Sequence, residues 1–167
     1  MEHILTQCEA PGQKEIWNEI AKIWRLRHNT WQKPTFGEIM GCASARITNN
    51  DGKTNIGLTR LYQILISEAA YKIWSIRCKR VIGDDNNREK WPRNEHIVAN
   101  IYNQINLRLR IDCLHTNESK FGKKAISIDK VKATWKDTLK DEIYLPDNWA
   151  YSPGVLVGIR QSEPHTA

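Results

Sequence analysis

The sequence has no long uninterrupted run of apolar residues. Its most apolar stretch, from Leu61 to Ile82, is broken by polar and charged residues that include Ser67, Glu68, Lys72 and Arg77, whereas a membrane-spanning helix needs roughly 18 consecutive apolar residues. The first ten residues carry an early glutamate and no apolar segment of the length that a secretory signal requires. We therefore expect an intracellular protein, in the nucleus or cytoplasm, that does not interact with a membrane.

Cysteine is sparse, and its spacing does not indicate a disulfide framework or a complete zinc site. No two of the four cysteines form a C-x-x-C pair, and a structural zinc ion needs four ligands. Without an export signal, reduced thiols are expected. The four residues are Cys8, Cys42, Cys78 and Cys113.

The motifs that mark common catalytic sites are missing. Gly52-Lys53-Thr54 resembles the end of a phosphate-binding loop, but position 47 is isoleucine where that loop needs glycine. Asp84 and Asp85 follow a predicted helix, whereas a two-metal polymerase site would need a strand–turn–strand and a further carboxylate. No G-x-S-x-G nucleophile motif occurs. We expect no enzymatic activity, no cofactor and no small-molecule substrate.

The residues that are abundant predict a folded helical protein. Hydrophobic residues make up 40% of the 167 positions and include seven tryptophans, which is unlike a disordered chain. Apolar residues recur at three-to-four spacing in four segments, each typical of an amphipathic or buried helix. The segments are 13–28, 58–82, 94–113 and 128–139. The predicted fold is all-α: a small bundle of about four main helices around the apolar helix 58–82.

Between the helices, the sequence predicts irregular connections and a flexible end. Glycine and proline interrupt residues 29–56, where we expect an irregular loop with one short helical turn over Phe36–Met40. We divide the chain into residues 1–10, a helical domain over 11–149, and a largely irregular tail over 150–167. In that tail, Val155–Ile159 should dock on the core, and residues after Arg160 should be disordered.

The net charge of +6 is carried mainly by two clusters. Residues 120–136 hold six lysines against Asp129 alone, a local net charge of +5, and a second basic cluster surrounds Trp91. Basic side chains beside an aromatic ring suit contact with a phosphate backbone and stacking on bases, although charged runs are also typical of a solvated surface. The candidate contacts to RNA or DNA are Arg77, Lys79, Arg80, Trp91, Lys120, Lys123, Lys124, Lys130 and Lys132.

One pair near the start has the spacing of zinc ligands. His3 and Cys8 form an H-x4-C pattern, the second half of a C-C-H-C zinc knuckle. The first two cysteines of such a knuckle are missing from this chain, so His3 and Cys8 are at most an incomplete half-site. Zinc would bind only if the missing upstream ligands were supplied.

Several strings resemble the C-terminal region of fungal non-LTR retrotransposon reverse transcriptase polyproteins. The first eight residues, MEHILTQC, are similar to the end of the zinc-binding segment that follows the polymerase domain in that family. The most specific strings downstream are ISEAAYKIWSIRCKRVI and GVLVGI. The resemblance covers nearly the whole chain and identifies residues 1–10 as a truncated zinc-knuckle remnant.

The resemblance implies a non-catalytic fragment or relic of a mobile element, because the polymerase domain and its catalytic aspartates are missing from this chain. In the whole polyprotein such a region would hold element RNA or target DNA. The alternative is a structural or protein-interaction domain with no role at nucleic acid. If the segments 77–93 and 120–136 share one face, the nucleic-acid hypothesis is favoured; if they lie on opposite sides, the alternative is favoured.

Overall fold

The computed structural model describes residues 1–158 and confirms the all-α class. Within this range no strand forms, and β-bridges are limited to Thr48–Thr54 and Leu139–Val157. A π-helical turn, Lys79–Gly83, extends α4. The helices are α1 (Glu2–Thr6), α2 (Gln13–Arg25), α3 (Phe36–Met40), α4 (Ile56–Cys78), α5 (Asn94–Leu114), α6 (Glu118–Phe121) and α7 (Ile128–Trp135).

Helix α4 is the centre of the bundle and contacts α1, α2, α5 and α7. The ring of Trp24, near the end of α2, lies 5.5 Å from that of Tyr62, near the start of α4. A Cβ on Gly12, just before α2, would meet Ile76 near the end of α4, so α2 runs antiparallel to α4. Helix α5 is also antiparallel to α4, because Asp112 near its end bonds to Arg60 near the start of α4 and Gln104, earlier in α5, bonds to Glu68, later in α4.

The predicted central helix is in the right place but its ends differ. It begins at Ile56 because the side chain of Asn55 accepts a hydrogen bond from the backbone N–H of Leu58 at 2.9 Å, which is a standard helix cap. The prediction also treated the helix as apolar most of the way round. In fact Tyr71 is 59% exposed and Trp74 is 40% exposed, so one face of its second half is open to solvent.

The segments on either side of the predicted domain pack against it. Leu5 in α1 is buried, and its carbonyl oxygen accepts hydrogen bonds from Gln13 and from the indole N–H of Trp17. Residues 1–10 are therefore attached to the helical domain and do not stand apart from it. At the other end Val157 is buried, while residues 159–167, including the end of the predicted docking segment and the predicted disordered residues, lie outside the described residues.

The predicted irregular region 29–56 is mostly loop, with two short helical pieces. Helix α3 occupies the expected position and begins with a capping box, in which Thr35 and Glu38 each bond the other's backbone N–H. A short 3-10 turn, Cys42–Ser44, follows it. The turn around Asp51 is exposed, as its run of polar residues predicts.

Candidate nucleic-acid interface

The lysine cluster, residues 120–136, runs from the end of α6 through a 3-10 turn to the end of α7. Helix caps determine where the two helices of this segment begin. Asn117 caps α6 by accepting a hydrogen bond from the N–H of Lys120 at 2.9 Å, and Ser127 caps α7. Five of its six lysines are exposed, and Lys132 is half-buried. Within residues 1–158 no salt bridge joins any of them to a carboxylate. The positive charge of the five exposed lysines therefore faces solvent and is not neutralised by a salt bridge within residues 1–158.

The second basic cluster is only partly available to solvent. Lys79 is exposed and Arg77 is half-buried. Arg80 is only 5% exposed, so the prediction that it contacts nucleic acid from the surface does not fit its position. Its guanidinium lies against the connection between α1 and α2, where Nη1 is 3.4 Å from the carbonyl of Pro11 and Nη2 is 3.9 Å from the Sγ of Cys8.

Trp91, which was predicted to stack on bases, is half-buried between two guanidinium groups. The guanidinium carbons of Arg80 and Arg88 lie 5.1 and 5.6 Å from its ring centroid. Such cation–π contacts stabilise the local packing. The ring is thus already engaged by side chains of its own segment.

The two basic clusters lie at opposite ends of α4. Helix α7 approaches the start of α4, where Gly57 meets the backbone of Ala133, whereas Lys79 and the segment around Trp91 follow the end of α4. Helix α4 has 23 residues, which at a rise of 1.5 Å per residue corresponds to roughly 35 Å. The clusters therefore do not form one continuous surface.

A groove of about 1350 Å³ lies beside the lysine cluster. One side is the outer face of α5, and the other is the segment 150–156. Two hydrogen bonds hold that segment in place: the N–H of Val157 donates to Oδ1 of Asn106 at 2.7 Å, and the N–H of Lys140 donates to the carbonyl of Leu156 at 2.8 Å. The groove was not predicted, because residues distant in sequence form its walls.

The walls of the groove have mainly apolar surface, although nearly half of the residues that line it are polar or charged. Leu107, Leu114, Tyr151 and Leu156 are all exposed side chains on its walls. Burial, with a smaller effect from Asp112, raises the pKa of the Cys113 thiol in the same groove to about 11. This thiol is therefore protonated at neutral pH and is a poor nucleophile.

Beneath the groove, a buried charged network joins three helices. Asp112 is fully buried and accepts two hydrogen bonds from the guanidinium of Arg60, at 2.6 and 2.7 Å. It also accepts one from the indole N–H of Trp135 at 2.9 Å. Asp112 continues the apolar stripe of Ile105 and Leu109, and an acidic residue on such a stripe was the available signal for this network.

The predicted zinc half-site does not present a suitable ligand set in this chain. His3 is an exposed residue of α1, and Cys8 directs its sulfur towards the Arg80 guanidinium. A zinc cation on that sulfur would be repelled by the neighbouring positive charge. No group of three metal-binding side chains occurs within residues 1–158.

Comparison with known proteins adds no family to these observations. No family model, curated protein or solved structure matches the chain. Across residues 1–158, every helix is too short or too polar to cross a membrane. The reasons for proposing a nucleic-acid interface therefore come from the side chains described above and not from a related protein.

Proposed function

We propose that the chain is a non-catalytic helical module that binds nucleic acid through the lysine cluster. The observation that carries this proposal is the local net charge of +5 over residues 120–136, where five of the six lysines are exposed and no salt bridge within residues 1–158 joins any of the six to a carboxylate. Lysines that contact phosphates release condensed counterions, and this release supplies sequence-independent affinity. The resemblance to the C-terminal region of fungal retrotransposon reverse transcriptases agrees with such a role, and the chain would then be a fragment of that polyprotein.

The contact surface in this proposal is smaller than the sequence suggested. Arg80 and Trp91 are engaged within the fold, and the segment around them lies at the far end of α4. We therefore assign binding to Lys120, Lys123, Lys124, Lys130 and Lys132, and leave out the second cluster. With few phosphate contacts, binding should be weak at physiological salt.

The separation of the two clusters supports the alternative, a structural or protein-interaction domain, whereas the charge of the exposed lysines supports nucleic-acid binding. In that case the lysine cluster would be an ordinary solvated surface. Exposed Tyr71 and Trp74 on α4 would also suit a protein partner, since aromatic residues are enriched at protein interfaces. The two functions differ in one measurable property, the salt dependence of nucleic-acid binding.

Changing Lys123 and Lys124 together to glutamate should weaken binding of single-stranded RNA and of duplex DNA by at least about tenfold in 50 mM salt. The slope of log K against log salt should become shallower by about 1.8 for duplex DNA and about 1.4 for single-stranded RNA, because two phosphate contacts are lost. Fluorescence anisotropy across a salt series would measure both quantities.

The matched control is Lys79→Glu with Lys90→Glu, which makes the same change in charge on exposed residues at the other end of α4. We expect this control to alter affinity by less than about threefold, because it removes no direct phosphate contact. Equal weakening by both pairs would show that only the overall charge matters. A folded chain that binds no nucleic acid at low salt would overturn the proposal and favour the protein-interaction alternative.

A further inference from the structure

We infer that the groove between α5 and the segment 150–156 receives unpaired bases, so that the nucleic acid bound by the lysine cluster is single-stranded. This inference rests on the proposed function and specifies its ligand. It depends on three observations: the position of the lysines around the groove, the apolar character of its walls, and an exposed aromatic ring on one wall.

The lysine cluster is continuous with the groove. Residues 117–119 and 126–129 line it, and Lys120, Lys123 and Lys124 lie on the short connection between these two segments. Lys130 directly follows the second segment, and Arg110 lines the groove from α5. Among the described residues of the lining, the charged side chains are Arg110 and the two carboxylates Glu118 and Asp129. With the four flanking lysines included, the net charge is +3, which suits a polyanion that runs along the edge of the groove.

The walls of the groove offer what an unpaired base needs. Tyr151 is 60% exposed, at the end of a short 3-10 turn, and can place its ring against a base. Base–aromatic stacking is worth about 1–3 kcal/mol per base and tolerates any sequence. The amide of exposed Asn103 and the guanidinium of Arg110 add groups that can hydrogen-bond base edges.

A duplex would leave these features unused. Paired bases have their faces buried in the helical stack, and a duplex presents mainly phosphates and sugars to a shallow protein surface. Exposed Leu107, Leu114 and Leu156 would then gain no apolar partner. A strand whose bases are free can instead turn them into the groove while its phosphates follow the lysines.

The experiment compares the full chain with its Tyr151→Ala and Tyr71→Ala variants. Tyr71 is a matched control, because it is similarly exposed but lies on α4 and does not line the groove. Anisotropy titrations would use a labelled 12-nucleotide single-stranded RNA and the corresponding 12-base-pair duplex. We expect Tyr151→Ala to weaken single-strand binding about tenfold, with duplex binding unchanged within about twofold, and Tyr71→Ala to change neither.

The other outcomes separate the two proposals. If Tyr151→Ala leaves single-strand affinity unchanged while the change of Lys123 and Lys124 still weakens binding, the lysine contact stands and the groove inference is wrong. If the chain prefers the duplex, the inference is also wrong. If the wild-type chain binds neither RNA nor duplex, both proposals fail, and a peptide partner becomes the occupant to seek for the groove.

Discussion

Replacing Asp112 with alanine should destabilise the fold by about 3–5 kcal/mol, the usual cost of removing one partner from a buried ion pair. The change leaves the Arg60 guanidinium, whose side chain is 14% exposed, without its carboxylate. It also leaves the indole N–H of fully buried Trp135 without its hydrogen-bond acceptor. Urea unfolding followed by tryptophan fluorescence would measure the free energy of unfolding.

Two further variants make this result specific to the buried network. Asp51→Ala removes the carboxylate of an exposed pair, in which Lys53 and Asp51 lie 3.6 Å apart, and it should cost less than about 1 kcal/mol. The double change Arg60→Met with Asp112→Leu should cost less than Asp112→Ala, because the guanidinium of Arg60 is no longer left buried without its carboxylate. Equal losses for Asp112→Ala and Asp51→Ala would contradict the role assigned to the network.

Replacing Gly57 with alanine should also destabilise the protein, by about 1–3 kcal/mol, although the same change inside an ordinary helix stabilises it. The added Cβ would overlap the carbonyl oxygen of Ala133, so α4 and α7 would have to separate. The displaced backbone is also held by Arg27, whose Nη1 donates to the carbonyls of Ala133 and Thr134 at 2.9 and 2.8 Å. Thermal and urea unfolding would both report the loss.

The matched control for this prediction is Gly37→Ala. Gly37 also lies within a helix, α3, but a Cβ there would meet no atom within 4 Å. Its replacement should leave stability unchanged or raise it by up to about 1 kcal/mol, because alanine has the higher helix propensity. If Gly57→Ala were as well tolerated as Gly37→Ala, the close approach of α4 and α7 would be wrong.

The periodicity of apolar residues was sufficient to predict the main helices and the all-α class. Ile16, Ile20 and Ile23 are fully buried, as are Ile97, Ile101 and Ile105, because residues at this spacing share one helix face. The same rule does not say how much of an apolar helix other elements will cover. For this reason it could not predict that Trp74, on the apolar helix 58–82, is 40% exposed.

The candidate site was less predictable, because its properties depend on residues far apart in the chain. The exposed lysines could be inferred from local composition alone. The burial of Arg80 depends on Cys8 and Pro11, about 70 positions earlier, and Arg60 meets Asp112 some 50 positions later. No local sequence pattern predicts contacts between residues so far apart. The groove could not be predicted for the same reason.

The packing of α7 against the first turn of α4 has a consequence for synthesis on the ribosome. Gly57 and Arg60 are translated well before Asp112 and Ala133, their partners in the folded chain. At about 5–20 residues per second, Asp112 is synthesised roughly 3–10 seconds after Arg60, and Ala133 later still. During that interval the apolar side of α4 lacks its later partners α5 and α7. The nascent chain at this stage exposes hydrophobic surface of the kind that chaperones bind.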